Sequence, residues 1–275
     1  MWHSDDCISW PCPRTGGSRV PDVAQPLNAM KHSHSAAHPR RRRKAQARDL
    51  AILYEDEAIV VVDKPAGLLT VPLPRREHAP SVASLIEERY RSHRARRPFA
   101  VHRIDRDTSG IVVFARNPRA QEAIKRQFIA HEPERVYLAI VHGSPRPTTG
   151  TWRDRLAWDQ QALIQKSAAA SHPRAMEAVS EYRVLESFQH ASLVEVRLRT
   201  GKRNQIRIQA ALHGHPLVGE RQYVDRAPAH PIAFPRQALH AHRLAVRHPV
   251  DGRVLSFESP LPQDLEELLA SLRRT

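Results

Sequence analysis

Apolar residues show no regular period over the first 49 positions and become patterned from Leu50 onward. Leu50–Tyr54 and Ala58–Val62 flank the polar turn Glu55-Asp56-Glu57, which predicts two strands. Asp63-Lys64-Pro65-Ala66-Gly67 then breaks the second strand. Ser81 suits the N-cap of a helix through about Arg94, with Val82, Leu85, Ile86 and Tyr90 on one face. Ile111–Ala115 reads as a short buried strand. Asn117-Pro118 opens a helix whose apolar stripe is Ala120, Ile124 and Phe128. Val136–Val141 is a further strand, ended by Gly143. Residues 159–176 are polar and Ala-rich, so a loop is expected there. Val179–Leu185 and Leu193–Leu198 alternate like paired strands. Asn204–Leu212 predicts a short helix, and Leu239–Val246 and Arg253–Phe257 two more strands. Leu261, Leu265, Leu268, Leu269 and Leu272 mark a C-terminal amphipathic helix. Strands outnumber helices and mostly follow one another. The expectation is an α+β fold: a mixed, mostly antiparallel central sheet with flanking helices and loops, spanning 50–275.

Charge changes the picture by dividing the chain. Residues 1–49 are rich in Pro, Ser, His and Arg and read as a disordered basic arm. They hold nine Lys/Arg against four acids, a net of +5, which leaves +9 of the chain's +14 on the remaining 226 residues. The run Arg40-Arg41-Arg42-Arg43-Lys44 suits phosphate, although charge runs are more often simply solvated. Met30 is an alternative start to Met1. A surplus this large implies a polyanionic partner, nucleic acid ahead of a membrane surface.

Composition also excludes chemistries. Both cysteines, Cys7 and Cys12, lie in the arm, so a catalytic thiol, a disulfide framework and a Cys-rich zinc site are excluded from the body. No apolar run approaches the roughly 18 residues of a membrane span, and Asp5 and Asp6 replace any apolar signal core. A cytoplasmic location and no membrane role are expected. None of the chain's ten glycines forms a GxGxxG or phosphate-loop pattern, which removes support for a nucleotide cofactor.

Three segments concentrate reactive side chains. In His102-Arg103-Ile104-Asp105-Arg106-Asp107-Thr108-Ser109-Gly110, Asp105 lies between two arginines. A neighbouring guanidinium favours an ionised carboxylate, which suits a nucleophile or base; pairing of Asp105 with Arg106 at the surface explains the same pattern. In Thr200-Gly201-Lys202-Arg203-Asn204-Gln205-Ile206-Arg207, a turn leads into a helix with cations at its start, where phosphate is readily held. Arg135 through Gly143 places Tyr137 on an otherwise aliphatic strand, a position more often core than catalytic.

Taken together, these segments resemble the RluA-type pseudouridine synthase family. Val62 through Gly67 and Gly214-His215-Pro216-Leu217-Val218-Gly219 extend the resemblance, in order, from about residue 50 to 258. One departure stands out: Asn204 occupies a place where the family usually has histidine. The resemblance implies a pseudouridine synthase catalytic domain over 50–275. The implied enzyme is an isomerase that turns uridine in structured RNA, ribosomal or transfer, into pseudouridine with no cofactor and no metal. It further implies that Asp105 is the essential carboxylate and that Arg207 pairs with it. Tyr137 would stack on the uracil and serve as the base for the carbon 5 proton, and Arg103 would fill the space left by the flipped nucleotide. Lys202 and Arg203 are expected phosphate contacts, and Asn204 is expected to tune the site, not abolish it.

Two rival functions fit the same residues. One is a non-catalytic RNA-binding protein of the same fold. The other is a metal-dependent nuclease using Asp105 and Asp107, which would share a face if they lay on a strand. No protein partner is implied, and a monomer is expected.

Overall fold

A computed structural model of the chain describes residues 50–73, 79–90, 97–169, 171–224 and 228–274. The expected arm over 1–49, and the end of the helix expected to reach about Arg94, lie outside the described residues. Eleven strands form one sheet in the order β1-β2-β4-β10-β5-β9-β8-β6-β7, with β3 added to β4 and β11 to β10. The strands are β1 (Ala51–Glu55), β2 (Ile59–Lys64), β3 (Phe99–Ala100), β4 (Ser109–Ala115), β5 (Glu134–His142), β6 (Thr149–Asp159), β7 (Ile164–Ser167), β8 (Met176–Ser187), β9 (Ala191–Leu198), β10 (Leu239–Arg247) and β11 (Val254–Glu258). The helices are α1 (Val82–Tyr90), α2 (Pro118–Ile129), α3 (Gln205–Leu212) and α4 (Gln263–Leu272). Every strand pairing is antiparallel except β4 with β10, so the architecture is the expected mixed, mostly antiparallel α+β sheet.

The parallel seam is short and close. His240 faces Ser109 and Ala241 faces Gly110. Gly110 has φ +111°, and a Cβ there would lie 2.2 Å from the Ala241 carbonyl oxygen, so only glycine lets the two halves of the sheet meet.

Helices cover both faces of each half. On one face α1 packs Val82, Leu85 and Ile86 on Val60, Val62, Val112 and Phe114. On the opposite face α2 lays Ala120 and Ile124 on Ile59, Val61, Val113 and Leu244. Across the seam, Ile206 and Ala210 of α3 pack on Ala139, Val141, Val194 and Val196, while Leu265, Leu268 and Leu269 of α4 close the other side. Tyr137 touches both the α1 and the α3 clusters, so it sits where the two halves meet.

Local capping follows the sequence. Asn117 accepts from the Ala120 amide at 2.8 Å, and Pro118 takes the first helical position. Ser81 and Ser84 bond each other's backbone amides at 3.1 and 2.9 Å, a reciprocal cap that starts α1.

The expected loop over 159–176 is a correction. The sheet continues there through the end of β6, all of β7 and the first residue of β8. β7 is the edge strand, with Lys166 and Ser167 exposed, and the Asp159 carboxylate caps the turn between β6 and β7 by accepting from Gln161 and Ala162 at 2.9 Å each. Among the described residues no helix is long and apolar enough to cross a membrane.

Candidate active site

Asp105 sits in the loop between β3 and β4, which is pinned on both sides of it. Thr70 Oγ1 donates to the Ile104 carbonyl at 2.8 Å. Lys64 Nζ and the Gly67 amide both donate to the Arg106 carbonyl, at 2.8 and 2.9 Å. Arg236 Nη1 reaches the Asp107 carbonyl at 3.1 Å, and His102 Nε2 accepts from the Val113 amide at 3.0 Å. These bonds satisfy backbone groups on both sides of Asp105, so the loop geometry is set from below. Lys64 is fully buried and also donates to the Pro65 and Leu68 carbonyls at 2.9 and 2.8 Å. Burial pushes its amine down to about 7, with Asp107 and Asp105 pulling the other way. Burial likewise takes the His102 imidazole down to about 3, so it stays neutral against Phe128, whose ring stacks 4.7 Å away.

Arg106 does not pair with Asp105. Its guanidinium forks onto Asp107 at 3.0 Å twice. The loop carries Asp105 and Asp107 in a turn, so the shared strand face that a two-carboxylate metal site would need is not formed. Asp105 meets α3 instead: Arg207 Nη1 donates to its Oδ2 at 3.3 Å. Asn204 adds two more donors. Its amide nitrogen lies 2.9 and 2.8 Å from the two Asp105 oxygens, and its oxygen accepts from Tyr223 Oη at 2.6 Å. The opposite amide orientation would set a carbonyl oxygen against a carboxylate, with no proton between them. Asn204 directly precedes α3 and Arg207 lies in its first turn, so both reach Asp105 from the start of the helix. Asn204 has φ +55°, which turns its side chain out of the helix to reach Asp105.

The turn before α3 is fixed by Gln205. Its Oε1 accepts from Thr200 Oγ1 and the Lys202 amide at 2.8 and 2.9 Å, while Nε2 donates to the Val179 carbonyl and Ser180 Oγ. Arg207 is then held by a second carboxylate that the sequence patterns do not single out. Nε and Nη2 donate to the two oxygens of Glu220 at 2.7 and 2.8 Å. The Glu220 side chain is fully buried and also accepts from the amides of Arg221, Gln222 and Tyr223. Burial opposes its charged form, but Arg207 and these amides outweigh burial and hold the carboxyl below its usual value. Burial also opposes the Arg207 cation; Glu220 and then Asp105 outweigh it, so the guanidinium is held above its ordinary value. The only sequence signal for Glu220 is an acid directly after Gly219, at the end of the motif Gly214 to Gly219.

The other expected residues line the same seam. Tyr137 is partly buried, and burial pushes its phenol up to about 12, with Asp105 adding to the rise and Arg135 opposing it. It is neutral at ordinary pH. Arg103 lies on the Asp105 loop with its side chain partly reaching solvent; desolvation by the surrounding protein and then Arg203 push its pKa down while Asp105 pulls it up, which places all three in one field. Arg203 is not a bare phosphate hook: its guanidinium lies 4.6 Å over the Trp158 ring. Lys202 directs Nζ to Met176 Sδ at 3.4 Å. Among the described residues no group of three or more His, Cys, Asp or Glu side chains is arranged to hold a metal ion.

The chain is similar to known proteins. The family model described as RNA pseudouridylate synthase matches residues 58–212. A ribosomal large subunit pseudouridine synthase D of Pseudomonas aeruginosa is 38% identical over 240 residues, covering 84% of this chain and 74% of that protein. An uncharacterized RNA pseudouridine synthase of Bacillus subtilis is 36% identical over 233 residues, covering 84% and 75%. Among solved structures, human RNA pseudouridylate synthase domain containing 4 shares the fold with a TM-score of 0.70 at 22% identity, covering 85% of this chain and 98% of that one. The match spans the Asp105 loop, β5 with Tyr137 and the whole of α3, so the chain belongs to the RNA pseudouridylate synthase family and is an isomerase that acts on RNA.

Proposed function

We propose that Asp105 is the carboxylate on which this isomerisation turns, and that the substrate is ribosomal RNA of the large subunit. The observation that carries the first part is the pair of side chains at the start of α3, Arg207 and the preceding Asn204, that put three donors on the two Asp105 oxygens. Such donors stabilise an ionised oxygen pair and fix where it points. The reaction breaks the bond from uracil N1 to ribose C1′ and forms one from C5 to C1′. A proton leaves C5 and one is taken up at N1, so nothing is oxidised and no group is imported. The target base must leave its stack to reach Asp105, at a cost of a few kcal/mol that is lowest in a loop. Arg103, exposed on the loop next to Asp105, would enter the gap.

Tyr137 offers its ring to the uracil from the floor of the seam. Its phenol is neutral, so only roughly one molecule in 10⁵ is ionised at pH 7. Burial is the largest cause of the raised value, and the Asp105 charge adds to it. Lys202 and Arg203 flank the seam, with Arg203 presenting a planar cation on Trp158 to the RNA strand. The basic arm over 1–49 adds affinity without selecting a site.

The choice of ribosomal RNA rests on relatives whose names assign them to the large subunit. Mapping pseudouridine in ribosomal and transfer RNA from cells with and without the gene tests it. Loss of a large-subunit pseudouridine is the expected result, and loss confined to transfer RNA overturns the choice of substrate while leaving the chemistry intact.

A further inference from the structure

The guanidinium of Arg135 is a charged group of the seam with no role in the chemistry at Asp105. It lies on β5 two residues before Tyr137 and so points to the same face of the sheet. Its neighbour Glu134 points to the other face, where it pairs with Arg197 and Arg243. Arg135 is 7% exposed, yet its Nε and Nη2 have no hydrogen-bond partner among the described residues. It makes no ion pair among them either. Among the described residues its aromatic contact is with Phe128, whose ring centre lies 5.8 Å from the guanidinium carbon. An unpaired buried cation costs several kcal/mol, and folds seldom retain one without a use.

Three further observations surround it with the means to hold an anion. A Cβ on Gly201 would lie 2.3 Å from Arg135 Nη1, so the guanidinium tip occupies the space that the missing side chain leaves at the turn before α3. Lys202 follows directly in that turn. His131 lies within the fields of both cations: burial lowers its pKa first, then Arg135 and Lys202 lower it further. Burial also lowers Arg135 itself, with Tyr137 opposing. A phosphodiester brings the charge that this group lacks, and a guanidinium N–H is a strong donor to phosphate.

We propose that Arg135, seated in the gap left by Gly201 and flanked by Lys202, binds a backbone phosphate of the RNA beside the nucleotide that enters the Asp105 seam. The site fixes the register of the strand, because the bound phosphate and the Tyr137 ring then lie two residues apart on one strand. This inference rests on the reading of the seam as the uridine site.

The experiment is equilibrium binding of a short labelled RNA, containing a substrate uridine, over a salt series. Removing one cation that neutralises a phosphate reduces the slope of log K against log salt by about 0.7 for a single strand and about 0.9 for a duplex. Arg135→Met is expected to lose one such unit and to bind about tenfold more weakly, while its thermal stability without RNA equals or exceeds that of the wild type. Gly201→Ala, whose methyl group displaces the guanidinium tip, is expected to lose the same unit, and Arg135→Lys to keep it. If Arg135→Met does not fold, the alanine and lysine variants decide. A wild-type slope in Gly201→Ala, or equal loss in the lysine variant, would overturn the phosphate site in favour of packing. Tritium release from carbon 5 by the wild type is measured alongside. Its absence would overturn the catalytic reading, whereas a slope that does not move overturns only the role of Arg135.

Discussion

Glu220 offers the sharpest perturbation of the site, because it touches neither Asp105 nor the position assigned to the base. Glu220→Gln keeps the shape and removes the charge. In the native protein its side chain is fully buried and receives two charge-assisted bonds from Arg207, at 2.7 and 2.8 Å, and three backbone amides. The glutamine amide nitrogen would have to face one of these donors. Removing one member of a buried pair costs about 3 kcal/mol or more. For a domain of this size that lowers Tm by roughly 6–12 °C. Freed from Glu220, Arg207 loses the restraint that fixes its third donor on Asp105, and a displacement of ~1 Å at such a group costs roughly 10²-fold in rate. The sign with pH follows from the lowered carboxyl. Its stabilisation is complete above the unfolded value of Glu and lost as pH falls through the lower folded value. The variant should therefore lose stability at neutral pH and converge with the wild type in acid. Differential scanning fluorimetry across pH and tritium release from carbon 5 measure both effects. A variant with native Tm and native release at pH 7 refutes the positioning role.

Three further outcomes follow from the same geometry. Lys64→Met removes three carbonyl contacts under the Asp105 loop. Because the folded amine lies near 7 and the unfolded one near its usual value, the wild type gains stability as pH rises between them, and stability measured from about pH 7 to 10 should show this gain vanish in the variant. Gly110→Ala sets a methyl group 2.2 Å from the Ala241 carbonyl at φ +111°, so a loss of about 3 kcal/mol or more, read by urea unfolding, is expected. Asn204→Ala removes both short donors to Asp105 and should lower the single-turnover rate more than RNA affinity, whereas an unchanged rate contradicts the amide placement.

The chemistry is more legible in the sequence than the sheet edge. The Asp105 and Gln205-Ile206-Arg207 segments carry dense, ordered signals, and the structure brings them within hydrogen-bond distance across 102 residues. Asn204 shows in the sequence only as a departure from the usual histidine; its contact with Asp105 needs the left-handed backbone at that residue. Adjacency misleads in the Asp105 loop. Arg106 is next to Asp105 in sequence, but the turn directs it to Asp107. Glu220 escapes a reading of the sequence because an exposed turn acid and a buried one look alike without their partners. The β6–β7 hairpin escapes it for a different reason. β7 has four residues with a single buried side chain, Gln165, so it has no apolar alternation to show. Arg135 falls in the same class as Glu220: nothing in a strand sequence reveals that a cation is buried without an acid.

The carboxylate of Asp105 is proposed to be required for the isomerisation and not for holding RNA. Asp105→Asn changes one oxygen to nitrogen and leaves the loop's backbone anchors in place. The deciding measurement is tritium release from RNA labelled at carbon 5 of uracil, with the same RNA used to measure binding. Binding close to the wild type with no release is the expected result. Release at the wild-type rate by the variant would contradict it.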